Sequence, residues 1–412
     1  MATTFAHPMM PQTNHDEMAL EAFLLSMRNH VLMEMDPLDQ RLTNEYVAPR
    51  VAAAIGKQPT KSAEIRQELE AQPFHQTWLT VHRLYQDMLY GAIGESVDRQ
   101  HASLDAARRA ISKPQGSLTL DPDFEVPRYI TAFDHHRMAG SYHTEYSPED
   151  FRPGAIYDRY SSTYHYWRNG GWMNDGRGHT LASHIVSAYP DLKPTRILDM
   201  ACAVGHSTIA LKDDFPHAEV YAIDVAAPML RYAHARAEYI NRKVHFSQQN
   251  AERTNFPDGH FDLVVSAASL HETSLAAMRN IFRESHRLLR PGGVMAHLEV
   301  PARHEELGLW EQVRADFESH YNNEPFMAGV GRADWTKTAI DAGFAADDVQ
   351  VGFRQYTPTM TKVEPKLAPK GSPDGRLAMG SWYICSAVRR WLPVKCRSEQ
   401  APNAIGPPPT PP

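Results

Sequence analysis

The chain has 412 residues, with 42 lysines and arginines against 49 aspartates and glutamates and a formal net charge of −7. That length accommodates one large domain beside a smaller one, and the acidic balance excludes the basic face on which nucleic-acid binders rely. No apolar run approaches the ~20 residues of a membrane span, and the opening Met1-Ala-Thr-Thr-Phe-Ala-His-Pro lacks the apolar stretch of a secretory leader. The three cysteines, Cys202, Cys385 and Cys396, form no CxxC pattern and fit a reducing, cytoplasmic setting without a disulfide framework.

Residues 1–15, rich in Met, Pro and polar side chains, are expected to be disordered. From 16 to 35, Met18, Phe23, Leu24, Met27 and Val31 recur on one helical face. Further helical periods run over 61–71, 74–90 and 95–111, so 16–128 reads as an all-helical N-terminal domain ending in a Pro/Gly-containing connector at 113–127. Residues 129–190 form an aromatic and histidine-rich cap, with His135, His136, His143 and His165, followed by an entry helix at 175–189. Apolar strands are then expected at 196–200, 219–224, 243–248, 261–266, 294–300, 349–355 and 381–388, separated by helical segments. This alternation is that of a doubly wound, seven-stranded α/β sheet. The core therefore spans 191–390, with an inserted helix at 307–320, a loop at 357–380 and a disordered proline-rich tail at 391–412.

The most informative stretch is Arg196–Leu211, RILDMACAVGHSTIAL. An apolar strand closes on Asp199, and the small residues Ala201, Ala203 and Gly205 follow at i, i+2 and i+4. A dinucleotide turn needs a small residue at i+5, where this chain has His206. A second strand ends in Asp224, with Val225 and then Met229 at the next helix start. Asn250-Ala251-Glu252 follows the third strand, Asp258-Gly-His-Phe-Asp262 opens a fourth that reaches Ser266, and Pro291-Gly-Gly precedes the fifth. Together these marks resemble the class I S-adenosylmethionine-dependent methyltransferases, in the branch that includes the ubiquinone and menaquinone C-methyltransferases. The resemblance covers roughly residues 155–300 well and 330–390 loosely. It implies a Rossmann-like sheet with S-adenosylmethionine as cofactor, held by Asp199, Ala201, Ala203, Gly205, Asp224, Val225, Met229, Asn250, Ala251, Glu252 and Ser266. Asp224 would take the ribose hydroxyls, and Asn250 would meet the adenine amino group through its amide oxygen. Two departures stand out. Alanines occupy 201 and 203 where the family has glycines, and their side chains are expected to confine φ to negative values. Ser266-Ala-Ala-Ser269 replaces the Asn/Asp-Pro-Pro-aromatic motif of enzymes that methylate exocyclic amines.

Methyl transfer from a sulfonium is an in-line displacement in which positioning contributes ~7–11 kcal/mol in favourable cases. His271, just beyond the fourth strand, is the leading candidate for a general base, worth ~10²–10⁴-fold. Tyr157 and Tyr164 in the cap are candidates to line the donor methyl. Glu272 and Glu299 read as capping or structural groups. The cap histidines have no compact ligand spacing, and His271-Glu272 lacks the second histidine of HExxH, so no metal site is expected. The resulting expectation is an enzyme that methylates a small-molecule acceptor. Its helical domain would cover the acceptor or form a homodimer, with no nucleic-acid partner and no membrane span. The alternative is a methyltransferase-like binding protein whose helical domain engages a protein partner. A nicotinamide-dependent oxidoreductase is disfavoured by His206.

Overall fold

The computed structural model describes residues 7–300, 307–357 and 381–390. Cys396, the tail from 391 and most of the loop at 357–380 lie outside the described residues.

At the centre is one eight-stranded sheet. Its strands are β1 (Ser117–Thr119), β2 (Arg196–Met200), β3 (Glu219–Asp224), β4 (His245–Gln248), β5 (Phe261–Ala267), β6 (Leu289–Glu299), β7 (Val349–Gln355) and β8 (Ser381–Val388). They lie in the order β1-β4-β3-β2-β5-β6-β8-β7. Every neighbour pair is parallel except those of β8, which runs antiparallel to both β6 and β7. The central strands are apolar throughout because both sheet faces are covered, as parallel sheets require. Ile197 and Val220 pack on one side, and Leu198, Ile223 and Val264 on the other. The strand order reverses between β2 and β5, which opens a crevice above their C-terminal ends.

Seven of these strands were expected, and β1 is the addition. This three-residue strand lies in the supposed connector and lengthens the edge by pairing with His245–Ser247. The Pro291-Gly-Gly segment also differs from a simple helix-to-strand turn. It lies inside β6, where the register jumps between the Phe261–Leu289 and Leu263–Val294 pairs, so it forms a bulge with Gly292 at φ 82°.

The helical unit departs further from the sequence reading. The helix His15–His30 continues through π-helical turns at Val31–Met35 and Leu42–Val47 and the helical pieces Asp36–Arg41 and Ala48–Ile55, then stops at left-handed Gly56. The two periods expected at 74–90 and 95–111 form one helix, Pro73–Arg109. It packs across the helix Arg152–Tyr164, which in turn packs on Ala227–Tyr239 of the core. The inserted helix Leu309–Tyr321 belongs to this layer as well: Trp310, Val313 and Phe317 share an apolar cluster with Val31, Val47 and Trp78. The helical unit is thus built from both halves of the chain.

Within the segment expected to be disordered, residues 7–14 are docked. Met9 and Met10 are buried, Tyr232 Oη donates to the Met9 carbonyl at 3.1 Å, and His7 reaches Asp158 at 3.1 Å. Burial of two methionines and a charged contact outweigh the polar composition that suggested disorder. No helix among the described residues is long and apolar enough to cross a membrane.

Candidate active site

The crevice above β2, β3 and β5 is a cavity lined by Asp199, Ala201, Ala203, Asp224, Val225 and Met229 on one side and by Asn250, Ala251 and Ser266 on another. Nine of the eleven residues expected around a cofactor therefore face one space. Gly205 and Glu252 do not line it. Gly205 (φ 80°) starts the helix His206–Asp214. The carboxylate of Glu252 is occupied by Tyr129 Oη at 2.9 Å and Asn280 Nδ2 at 2.6 Å.

The expectation that the alanines keep negative φ fails. Ala201 lies at φ 56° and Ala203 at φ 48°, the left-handed region that glycine tolerates best. The turn keeps the shape a glycine version would take, and its hydrogen bonds hold it there. The Ala203 amide donates to Asp224 Oδ2 at 2.9 Å, and the Cys202 amide to the Ile223 carbonyl at 2.9 Å. Asp224 also accepts from the Ala226 amide at 2.9 Å, which fixes the carboxylate at the cavity wall. Asp199 accepts from Thr208 Oγ1 at 2.6 Å, and burial lifts its carboxyl to about 7. Asn250 Oδ1 accepts from the Glu252 amide at 2.8 Å, leaving its second lone pair and its NH₂ group free to face the cavity.

His206, whose bulk disfavoured a dinucleotide turn, has a structural partner. Its Nε2 lies 2.6 Å from Asp158 Oδ1, and its ring stacks on Tyr157 with centroids 5.9 Å apart. Asp158 is fully buried, accepts from Tyr232 Oη at 2.8 Å and forms an ion pair with Arg236, whose Nε lies 3.3 Å away. Burial works against its charge, but Arg236, His206 and His7 hold the carboxyl well below its usual range. Asp158 thereby ties the N-terminal segment, the cap and the Ala201–Gly205 turn to one point.

A second chamber lies beside the first, between the sheet and the helical unit. Tyr164 and His271 line this inner chamber and not the cofactor cavity, with Tyr160, His136 and Glu324 around them. Tyr157, Arg177, Ala268 and Glu272 line both spaces. Tyr164 is therefore placed away from the first cavity, with the Arg28 guanidinium 4.0 Å from its ring centre.

His271 is held from behind. Glu299, at the end of β6, accepts from the Leu270 and His271 amides at 2.7 and 3.1 Å, and its other oxygen lies 2.6 Å from His271 Nδ1. Burial disfavours the charged ring, yet Glu299, with Glu272 and Glu324 beyond it, lifts His271 to about 9. Glu272 accepts from Tyr142 Oη at 3.0 Å and lies 2.9 Å from His136 Nε2. Spacing within the cap points to no compact ligand set, but the fold brings one cap histidine to the segment after β5: ligand-type atoms of His136, His271 and Glu272 all lie within 4.8 Å of one another. Sequence reasoning missed His136 and Glu324 as site residues. No local spacing signals them, because they come from the cap and from the turn after the inserted helix.

Comparison with known proteins agrees with the cavity. Residues 197–293 match the family profile described as a methyltransferase domain. Residues 197–293 form a class I S-adenosylmethionine-dependent methyltransferase domain. A demethylmenaquinone methyltransferase of Thermus thermophilus is 39% identical over 108 residues, covering 26% of this chain and 48% of that protein. A malonyl-[acyl-carrier protein] O-methyltransferase of Dechloromonas aromatica is 29% identical over 171 residues, 41% of this chain and 59% of its own length. A demethylmenaquinone methyltransferase of Lactococcus lactis is 32% identical over 145 residues, 34% of this chain and 54% of its own. The chain spans about half the length of these curated relatives, and the matches cover less than half of the chain itself. S-adenosylmethionine is the cofactor of this class.

Proposed function

We propose that this methyltransferase domain moves the methyl group of S-adenosylmethionine onto a small molecule held in the inner chamber. The observation that carries this reading is the shared wall. Tyr157, Arg177, Ala268 and Glu272 border both the cavity above β2, β3 and β5 and the chamber beneath the helical unit. A donor in the first space can therefore present its methyl to an acceptor in the second. Asp224 would receive the ribose hydroxyls, and Asn250, Ala251 and Ser266 would border the purine.

In this reading His271 serves the acceptor. Its Nδ1 is committed to Glu299, so only Nε2 is free to face the chamber. The neighbouring carboxylates lift the ring to about 9, so with no ion bound it is charged near neutrality and favours an acceptor that arrives as an oxygen anion, such as a carboxylate or a phenolate. The exposed side chains of Met18, Phe23 and Met33 on the outer helix support pairing of two copies through the helical unit; sedimentation at two protein concentrations tests that pairing.

The test of the function is calorimetric titration with S-adenosylhomocysteine, with NADH as control. Micromolar binding of the first alone is expected, and binding of neither would overturn the reading. His271→Ala should then lower turnover of a positive acceptor by roughly 10² or more, the loss expected for one preorganised electrostatic contact rather than for a general base, while S-adenosylhomocysteine affinity stays within about threefold. Loss of both together would move His271 into the cofactor site.

A further inference from the structure

We propose that His136, His271 and Glu272 form a binding site for one divalent first-row transition-metal ion at the floor of the inner chamber, with Glu324 at its edge.

The three side chains reach one point from separate segments. His136 comes from the cap, where φ 50° turns its ring inward. His271 and Glu272 follow β5, and Glu324 follows the inserted helix. His136 Nε2 lies 2.9 Å and His271 Nε2 3.7 Å from Glu272 Oε1, and Glu324 Oε2 lies 3.8 Å from His271 Nε2. Ligands bound at about 2.0–2.2 Å from a shared ion stand about 3.0–3.5 Å apart, so small side-chain shifts bring the group into a coordination shell.

The backing of the two imidazoles is a second, independent observation. His271 Nδ1 is 2.6 Å from Glu299, and His136 Nδ1 is 2.6 Å from Glu324. Each ring is thus held by a carboxylate on one nitrogen and presents the other towards Glu272. That is the carboxylate–histidine–metal arrangement, in which the outer carboxylate fixes the tautomer and strengthens the ligand. The outer carboxylates are themselves anchored. Glu299 takes two backbone amides, and Glu324 takes Asn322 Nδ2 at 2.8 Å.

A plain ion-pair cluster explains less. It leaves Glu272 Oε2, Glu324 Oε2 and His135 Nε2 buried without hydrogen-bond partners. Both Glu324 and His135 are almost wholly buried, and His135 Nε2 faces Glu272 Oε2 at 3.5 Å. Buried polar atoms left unpaired are costly, and here each of the three lies beside a member of the cluster: Glu324 Oε2 near His271, and His135 Nε2 near Glu272 Oε2. Two imidazoles beside carboxylate select zinc, iron(II) or manganese over magnesium or calcium, which prefer all-oxygen shells. Glu272 borders the cofactor cavity too, so an ion here would take an oxygen of the acceptor at an open position. That last step rests on the methyl-transfer reading, whereas the ion site does not.

The experiment uses the untagged full chain. Metal content after purification is measured by plasma mass spectrometry. The chelator-treated protein is then titrated with cobalt(II), read by its visible d–d absorption. About one equivalent of bound cobalt is expected, displaced by zinc. His136→Gln and Glu272→Gln should each weaken cobalt binding at least tenfold, and Glu299→Gln by roughly 10–100-fold. S-adenosylhomocysteine affinity, the check on folding, should stay within about threefold in His136→Gln and Glu299→Gln; for Glu272→Gln, whose side chain borders the cofactor cavity, the thermal midpoint is the check. The proposal is overturned if the wild-type chain neither retains a transition metal nor gives cobalt absorption. It is equally overturned if the first two variants bind cobalt as wild type does. Cobalt binding without S-adenosylhomocysteine binding would uphold the ion site and overturn the methyl-transfer reading instead.

Discussion

The alanine turn yields a prediction whose sign is informative. Ala201 and Ala203 both hold left-handed backbone, at φ 56° and 48°. An L-residue there costs roughly 1–2 kcal/mol relative to right-handed geometry. Glycine removes that cost but adds about 0.5–1 kcal/mol of freedom to the unfolded chain. Ala201→Gly and Ala203→Gly should therefore each stabilise the protein by roughly 0.5–1 kcal/mol, and the double variant by about 1–2 kcal/mol, opposite to the usual effect of such a change. Differential scanning calorimetry should show the midpoint rising by about 0.5–1 °C in each single variant and about 1–2 °C in the double variant. Because free and occupied turns share the same conformation in this reasoning, S-adenosylhomocysteine affinity should change less than about threefold. A lowered midpoint in both single variants would refute it, since alanine would then be the better residue and φ could not be positive.

Asp224→Ala should weaken S-adenosylhomocysteine binding roughly tenfold or more, because hydrogen bonds to a charged group are worth about 1.5–3 kcal/mol; unchanged affinity by calorimetry would remove Asp224 from the site. Met9→Ala should cost about 2–5 kcal/mol, the range for a buried methionine, and an unshifted thermal midpoint would mean that residues 7–14 do not dock. Asp199 gives a pH dependence. Its folded carboxyl, lifted by burial to about 7, binds a proton that the unfolded chain releases near the ordinary value of 3.8. The stability it contributes is fully present below that value and is lost as pH rises towards 7. Asp199→Asn should flatten this part of the stability profile of the unliganded protein, and an identical slope in variant and wild type would contradict the shift.

Legibility in the sequence followed the range of the interactions. β2, β3 and β5 are contiguous apolar runs bounded by acids or turns, so local pattern was enough. β1, three residues at the sheet edge, owes its existence to Val244–Ser247 more than a hundred positions away. Gly91 and Gly94 lie inside the helix Pro73–Arg109, where Gly94 serves contact between helices. A side chain there would meet Arg152 Nη2 at 3.3 Å and Ile156 Cδ1 at 3.8 Å. Pro37 and Pro49 sit in the first turns of their helical pieces, each just after a π-helical turn, where a missing amide hydrogen is tolerated. At the site, the residues around the Ala201–Gly205 turn were legible as a motif. The inner chamber was not, since His136, Glu272 and Glu324 become neighbours only when the inserted helix joins the helical unit.

The docked N-terminal segment has a consequence for how the chain is made. Residues 7–14 are synthesised early, but their anchors at Asp158 and Tyr232 lie 151 and 223 positions downstream of His7 and Met9. At ribosomal rates of about 5–20 residues per second, Tyr232 follows Met9 after on the order of ten to forty-five seconds. During that interval Met9 and Met10 have no burial site, and the helices behind them lack the core face on which Leu89 and Ile93 pack. The nascent helical unit is thus a client for any factor that shields apolar surface on the ribosome, and its release is timed by the arrival of the helix Ala227–Tyr239.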